Sequence, residues 1–331
     1  MFYDPYAIKG FTLKNRSVLP PMCMYSAGHD GMVRPFHVAH YATRAIGGMA
    51  LIIQEATAVT PEGRISMNDL SIWSDDHVPG LKSIADAIRE NGSVPGIQIN
   101  HAGRKSRTDK PMGPTAEGYK DGTPVHGMTL EDIKETVQAF KDAARRADEA
   151  GYDVLELHAA HGYLLFQFMS PLTNTRDDAY GDRTKFLRDV TEAVSSVWPK
   201  EKILAIRVSA YEYREEGLHP DEVADMINGL KTYGIDLVDV SSGGNVPAQI
   251  IPYPGYQLSL AKAIKERTGL PVIGGGLVNS IDMAEFAIRE EMCDLVWFGR
   301  LALRDPYFVL TMAKDHGEDI AFPKPYERGK I

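Results

Sequence analysis

Two kinds of apolar pattern alternate along the chain. Short runs with apolar residues on neighbouring positions occur eight times: SVLPPM (17–22), MALIIQE (49–55), VPGIQIN (94–100), DVLELH (153–158), ILAIRVS (203–209), LVDVSS (237–242), PVIGGG (271–276) and LVWFGR (295–300). Runs this short, rich in Val, Ile and Leu, have the pattern of parallel strands buried on both faces. Between them, apolar residues recur at helical spacing. The clearest helix runs from Thr129 to Ala150, with Ile133, Val137, Phe140, Ala144 and Ala147 on one face. Thr129 and Asp132 open it as a capping box, and Gly151 closes it. Eight strand–helix units predict an α/β protein whose sheet closes into a single (β/α)8 TIM barrel. A doubly wound sheet is the alternative, but its G-x-G-x-x-G is missing after the first strand, which ends in Pro20-Pro21-Met22. No linker-like stretch divides residues 1–331, so one domain is expected. Gly103 to Thr129 reads as a long loop over the barrel mouth. The tail from about 317, containing AFPKPYERGKI with its two prolines, reads as extended.

Composition narrows the chemistry. Of 331 residues, 44% are hydrophobic and 24% charged, ordinary for a chain with a large core. A net charge of −9 argues against a nucleic-acid partner, which needs a basic face. Cys23 and Cys293 lie far apart and are too few for a disulfide framework or a cysteine-rich metal cluster. The opening MFYDPYAIKG lacks a basic stretch followed by an apolar run, and no apolar run reaches the roughly 18 residues of a membrane span. A cytoplasmic protein is expected.

In this fold the active site lies at the C-terminal strand ends and the loops that follow. Those ends carry Pro21, Met22, Cys23 and Tyr25; Glu55 and Ala56; Gln98, Asn100 and His101; His158, His161 and Tyr163; Arg207; Ser241 to Gly244; Gly274 to Gly276; and Gly299 with Arg300. Glycines after the last two strands, next to an arginine, suit a phosphate: bare backbone N–H groups and a fixed cation approach the anion. Singly each glycine is a turn residue; together they favour phosphate. His158 and His161, three apart, suit hydrogen bonding to one oxygen, as when a carbonyl is polarised. A metal ranks below this and below a structural role, because no third ligand is evident. Arg207, inside an apolar run, is expected to face a bound anion or a carboxylate.

Several segments are highly specific. PPMCMYSA (20–27), PFHVAHY (35–41), GIQINHAGRK (96–105), LHAAHGYLLFQFMSPLTNTRDD (157–178), IRVSA (206–210), WFGRLALRDP (297–306) and YERG (326–329) resemble, in order and over essentially the whole chain, the Old Yellow Enzyme family, most closely its short bacterial branch. The resemblance implies bound FMN, with NADPH or NADH as hydride donor, and reduction of the C=C bond of α,β-unsaturated carbonyl compounds. By that resemblance Pro20, Pro21, Met22 and Cys23 line the flavin, with Cys23 tuning it. Ala56 meets it through its backbone, Gln98 and Arg207 meet its pyrimidine edge, and Gly276, Gly299 and Arg300 hold its phosphate. His158 and His161 bind the substrate oxygen, Tyr25 assists, and Tyr163 delivers a proton. It also implies a homodimer or homotetramer, in which Arg328 reaches a neighbouring active site.

Rival readings fit less well. The dienoyl-CoA and amine dehydrogenase relatives carry a cysteine-rich iron–sulfur segment that this sequence lacks. Sugar-phosphate aldolases and isomerases need a Schiff-base lysine or a metal, and no Lys falls inside the eight runs. A flavin store without turnover differs in whether NADPH bleaches it and an enone restores the colour.

Overall fold

All eight apolar runs become parallel strands, and they close on themselves. In the computed structural model, which describes residues 1–119 and 122–330, these are β1 (Ser17–Leu19), β2 (Leu51–Ala58), β3 (Val94–Asn100), β4 (Val154–Ala159), β5 (Ile203–Ser209), β6 (Leu237–Ser241), β7 (Val272–Gly274) and β8 (Leu295–Trp297). Each strand pairs with the next, and β8 returns to β1 through Val296–Ser17 and Trp297–Val18. A helix follows each strand: α1 (Pro35–Ile46), α2 (Val78–Glu90), α3 (Leu130–Glu149), α4 (Lys185–Ser195), α5 (Pro220–Asn228), α6 (Leu258–Thr268), α7 (Ile281–Arg289) and α8 (Phe308–Asp315). This is the (β/α)8 barrel that the strand–helix alternation predicts.

Three strands stop two or three residues before their apolar runs do. Pro20 and Pro21 have no N–H to give a ladder, so β1 ends at Leu19. At the seventh strand, Gly276 turns left-handed at φ +93° and leaves the sheet. The third is β8, which ends at Trp297 before Gly299 caps a short helix, Arg300–Arg304. Helix α3 opens on the expected box, with the Thr129 side chain accepting from the Asp132 N–H, and Gly151 follows at φ +86°.

Side-chain parity divides the barrel interior along its axis. At the N-terminal end Val18, Leu51, Ile53, Val154, Ile203, Ala205, Leu237, Ile273 and Leu295 form one buried cluster. A hairpin caps it, Tyr6–Ile8 paired antiparallel with Phe11–Leu13. The sequence reading missed this hairpin. Lys9 and Gly10 both have positive φ, +46° and +82°, the requirement of the tight turn that matches strand twist. A second, larger core joins the outer barrel wall to the helices.

The Gly103–Thr129 segment is largely irregular, with a one-turn helix at Gly103–Lys105 and a two-residue pairing of Met112–Gly113 with His126–Gly127. Lys120 and Asp121 of this loop, and Ile331 of the tail, lie outside the described residues. The tail does not stay extended throughout. Residues 318–323 carry no regular element, but Lys324–Gly329 wind into a 3-10 helix. Pro323 and Pro325 hold φ near the helical value, which favours the turn. Among the described residues no helix is long and apolar enough to cross a membrane.

Candidate active site

The second strand bulges where the site begins. Its register with β3 shifts between Gln54 and Thr57, which leaves Glu55 and Ala56 at the irregularity. A bulge re-aims side chains that a regular strand would send elsewhere. The buried Glu55 carboxylate accepts from the Met24 N–H at 2.7 Å and the Tyr41 hydroxyl at 3.1 Å, fastening the segment after β1 to the bulge. Burial pushes Glu55 up to about 7, although these two donors pull the other way. Ala56 then packs with Ile65 and Ala102, and Cys23 and Tyr163 lie against that group. Burial raises the Cys23 thiol well above its usual range, so it is held protonated; the Tyr25 hydroxyl and the Ala56 N–H oppose this weakly. Tyr25 itself is half exposed, with a left-handed backbone at φ +50°.

The histidine pair stands on a strained turn. His161 has φ +56°, an uncommon conformation for a residue with a β-carbon, and such strain persists only where neighbours fix it. Here they do. The His161 N–H donates to Ser209 Oγ at 2.9 Å, and Lys105 Nζ donates to the carbonyls of His161 and Gly244 at 2.7 and 2.9 Å. Gly162 and Gly244 let the two turns touch: a β-carbon on Gly162 would lie 2.3 Å from Asn245 Cα, and one on Gly244 would lie 2.8 Å from His161 Cα. Arg104 adds a bond to the Asn245 carbonyl at 3.0 Å. The HAGRK segment therefore laces the mouth together.

The rings of His158 and His161 meet edge to face, with Nε2 of the first 3.4 Å from Nδ1 of the second. The Ala160 N–H points at His158 Nδ1 at 3.3 Å, so the proton of a neutral His158 sits on Nε2. On His161, Nε2 lies 2.7 Å from Ser241 Oγ, which also accepts from Gln257 Nε2 at 3.3 Å. When the serine hydroxyl donates to His161 Nε2, the ring takes the tautomer that keeps N–H on Nδ1. Burial first, and the charges of Arg207 and Lys105 after it, hold both rings well below the ordinary imidazole value. Both are neutral near pH 7. The Tyr163 ring stands 4.8 Å from His158, edge on, and its hydroxyl is raised by burial and stays protonated.

At the strand ends a cavity of about 380 Å³ is lined by Pro20, Pro21, Met22, Arg207, Gly299 and Arg300, among others, but not by the two histidines or Tyr163. That volume is adequate for a ligand pocket, which spans roughly 300–1,000 Å³. A β-carbon on Gly299 would meet only Met22 Sδ at 3.4 Å and Pro20 at 3.9 Å, so the backbone there is not crowded. Arg300 is exposed on the rim. The triple glycine is less uniform than its sequence suggests. β-Carbons on Gly274 and Gly275 would collide with Cys293 at 2.9 Å and Trp297 at 2.4 Å, so those two serve packing. Gly276, left-handed, is crowded as well, with a β-carbon there 2.9 Å from the Gln257 nitrogen, and its carbonyl accepts from the Gly255 N–H at 2.6 Å, so its N–H is the backbone group that could meet an anion. Bare amides, a cation and a pocket at β7 and β8 fit a phosphate-bearing cofactor, and Arg207 beside Pro21 fits an electron-rich ring edge.

Gln98 reaches the site through a residue the sequence reading passed over: its Nε2 donates to Glu156 Oε1 at 2.7 Å. Asp239, also passed over, lies 3.2 Å from Arg207 Nε. Both were visible as carboxylates inside apolar runs, the same signal that marked Arg207. Arg328 is not brought to this mouth within the chain; it is exposed on the tail's 3-10 helix. A larger cavity, about 1,000 Å³, lies between α8 and the tail, but neither histidine nor cysteine nor arginine lines it. Among the described residues no three His, Cys, Asp or Glu side chains converge as a metal site.

Residues 1–319 match the family described as NADH:flavin oxidoreductase / NADH oxidase. The chain is 49% identical to an NADPH dehydrogenase of Clostridium acetobutylicum, over 98% of both chains. It is 46% identical to the NADPH dehydrogenase of Bacillus subtilis, over 99% of this chain and 98% of that one. An Old Yellow Enzyme homologue from Zymomonas mobilis superposes with a TM-score of 0.79 at 25% identity, covering 97% of this chain and 94% of its own. A 2-naphthoyl-CoA reductase superposes at 0.90 with 25% identity, over 96% of this chain but 52% of the other. With a barrel whose strand ends fit a flavin phosphate and a family match across nearly its whole length, the chain belongs to the NADH:flavin oxidoreductase / NADH oxidase family, the Old Yellow Enzymes, and is an FMN-dependent oxidoreductase.

Proposed function

We propose that the protein oxidises NADPH and reduces the activated C=C bond of α,β-unsaturated carbonyl compounds. The observation that carries this reading is the neutral histidine pair at the mouth, with Tyr163 at its side. Bound FMN supplies the hydride relay between nicotinamide and substrate. Pro20, Pro21, Met22, Cys23, Ala56, Gln98 and Arg207 would hold its ring system, and Gly276, Gly299 and Arg300 its phosphate.

The remaining roles belong to the chain's own groups. His158 Nε2–H and His161 Nδ1–H donate to the substrate carbonyl oxygen, where negative charge grows as the β-carbon is reduced. Neutral donors suit this, since an imidazolium would bind anions indiscriminately and cost more to bury. Ser241, donating its hydroxyl to His161 Nε2, would select the tautomer that donates from Nδ1. Tyr163, kept protonated by burial, delivers the proton to the α-carbon. Tyr25 closes over the substrate beside Cys23, whose protonated thiol makes it a tuner of the flavin rather than a nucleophile. Arg328 works in the site of a neighbouring subunit of a homodimer or homotetramer; its exposure on the tail leaves it available. The NADPH preference follows the names of the relatives at 46–49% identity.

An anaerobic titration tests the whole reading. NADPH is expected to bleach the yellow protein, and cyclohexenone to restore the colour stoichiometrically. A flavin that NADPH leaves yellow, or that stays bleached with the enone, sinks it.

A further inference from the structure

Beneath the histidine pair, the barrel encloses two carboxyl groups and one guanidinium. Glu156 and Asp239 are fully buried and Arg207 nearly so. Strand register sets Asp239 directly beside Arg207, with Arg207 Nε 3.2 Å from Asp239 Oδ2. The two are in contact but not aligned: Arg207 Nε, both Asp239 oxygens and Glu156 Oε2 lack a hydrogen-bond partner. Glu156 Oε1 is held by Gln98 from β3, and the Trp297 ring from β8 lies 5.8 Å from the guanidinium. Above, Arg207 also bears on His158 and His161, both neutral. Burial raises both carboxyl groups and Asp239 raises Glu156 further, while Arg207 opposes these shifts. In so dry a site one cation balances one carboxylate, not two. Glu156 therefore holds a proton, and Asp239 carries the charge that faces Arg207.

The guanidinium has a second face. Arg207 lines the cavity at the strand ends, and its Nη1 donates to the Pro21 carbonyl at 3.3 Å. When NADPH gives up a hydride, two electrons and one proton pass to the flavin and NADP⁺ leaves. The flavin gains one negative charge. We propose that Asp239 is the counter-ion Arg207 exchanges for the reduced flavin, and that its carboxylate takes one proton from solvent as the exchange occurs. The new bond is an O–H on Asp239, no electron moves in that step, and the net charge of the interior is the same before and after. Asp239 is thus a positioning residue that acts through Arg207. The inference rests on the flavin's pyrimidine edge lying at Arg207.

Redox titration of the FMN-loaded protein, followed by flavin absorbance from roughly pH 5 to 9, tests it through proton uptake. Wild type is expected to take up one proton per electron pair at the pH extremes and two in a window between them. The slope of midpoint potential against pH doubles in that window. Asp239→Asn is expected to show the one-proton slope throughout and a potential above that of wild type. Glu156→Gln keeps the doubled slope below about pH 8, where burial keeps Glu156 neutral in both states. A one-proton slope at every pH in wild type, or a doubled slope in Asp239→Asn, overturns the proposal. If Asp239→Asn does not fold, infrared difference spectra of reduced minus oxidised wild type decide: a protonated-carboxyl C=O band appears, and its absence overturns the proposal. Arg207→Met tests the cofactor placement itself. An unchanged potential in that variant removes both the placement and the proposal. A lowered potential, with a one-proton slope in wild type, leaves the placement standing and removes the proposal alone.

Discussion

The lower and upper halves of the barrel interior are built from the same strands at the same side-chain parity, yet they differ in almost every physical respect. Val154 gives way to Glu156 and His158 along β4, Ala205 to Arg207 and Ser209 along β5, and Leu237 to Asp239 and Ser241 along β6. Two residues, or about 7 Å of strand, separate an aliphatic layer from a charged one. The lower layer is sealed by a hairpin and its buried side chains are apolar. In the upper layer, Arg207, Asp239 and Glu156 leave polar atoms without hydrogen-bond partners. Unsatisfied buried groups are costly, so a chain that retains them is expected to use them. The difference teaches where stability and chemistry reside: the lower layer supplies burial, the upper layer supplies groups poised for a ligand.

Substitutions in each half should therefore fail differently. The largest effect is expected from replacing His158 and His161 together with alanine. Losing one oxyanion donor costs about 10²–10³-fold in rate, so enone reduction should fall by at least that, while FMN stays bound and thermal unfolding moves little. Phenol binding, read as a long-wavelength absorbance band, should vanish with it; persistence of both would remove these residues from the site. Leu237→Ala, in the lower layer, is expected to show the reverse: about 2–5 kcal/mol lost in denaturant unfolding, with the Michaelis constants of the folded protein unchanged. A shift in those constants would blur the division. Gly276→Ala forces a β-carbon into a left-handed position 2.9 Å from the Gln257 N–H. It should cost about 1–2 kcal/mol and weaken FMN retention on dilution; full retention would exclude Gly276 from the phosphate site. Lys9→Ala removes a part-exposed ion pair with Asp236 and should change stability by less than about 1 kcal/mol.

The last expectation is of no effect. His158 and His161 lie well below the ordinary imidazole value, so they stay neutral while pH falls through about 6.5, where a free histidine protonates. The Michaelis constant of an uncharged enone should cross that pH without an inflection from either ring. An inflection that persists in Glu55→Gln and in Asp239→Asn, which remove the two carboxyl groups raised into this range, would assign a titrating histidine to substrate binding.

The fold was legible because strands buried on both faces must be apolar at every position, and that demand marks them more strongly than alternation would. Their ends were less so. Whether an apolar or glycine-rich residue stays in a ladder depends on N–H supply and on φ, as Pro20 and Gly276 illustrate. The hairpin escaped because two three-residue strands are too short to carry a period. At the site, strand-end logic pointed to the histidines, Tyr163 and Arg207, which the structure gathers at the strand ends. It undervalued Glu55, Glu156 and Asp239, whose roles arise from what faces them across the barrel. Contacts between Gly274, Cys293 and Ala261, or Gly275 and Trp297, join distant parts of the chain, so a run of three glycines looked like one device when it is two. Arg328, as a contributor to another subunit, is a matter no single chain displays.

The two turns at the mouth, His161–Tyr163 and Gly243–Asn245, touch backbone to backbone and share Lys105 as a common clasp. For protein engineering this makes them one module, although more than seventy residues of chain lie between them. A loop exchanged at either place alone would meet a partner shaped for something else. Libraries aimed at new substrates would do better to transplant both turns and Lys105 from a single donor, and to diversify instead the rim around Tyr25 and Tyr253, where exposed side chains have room to vary independently.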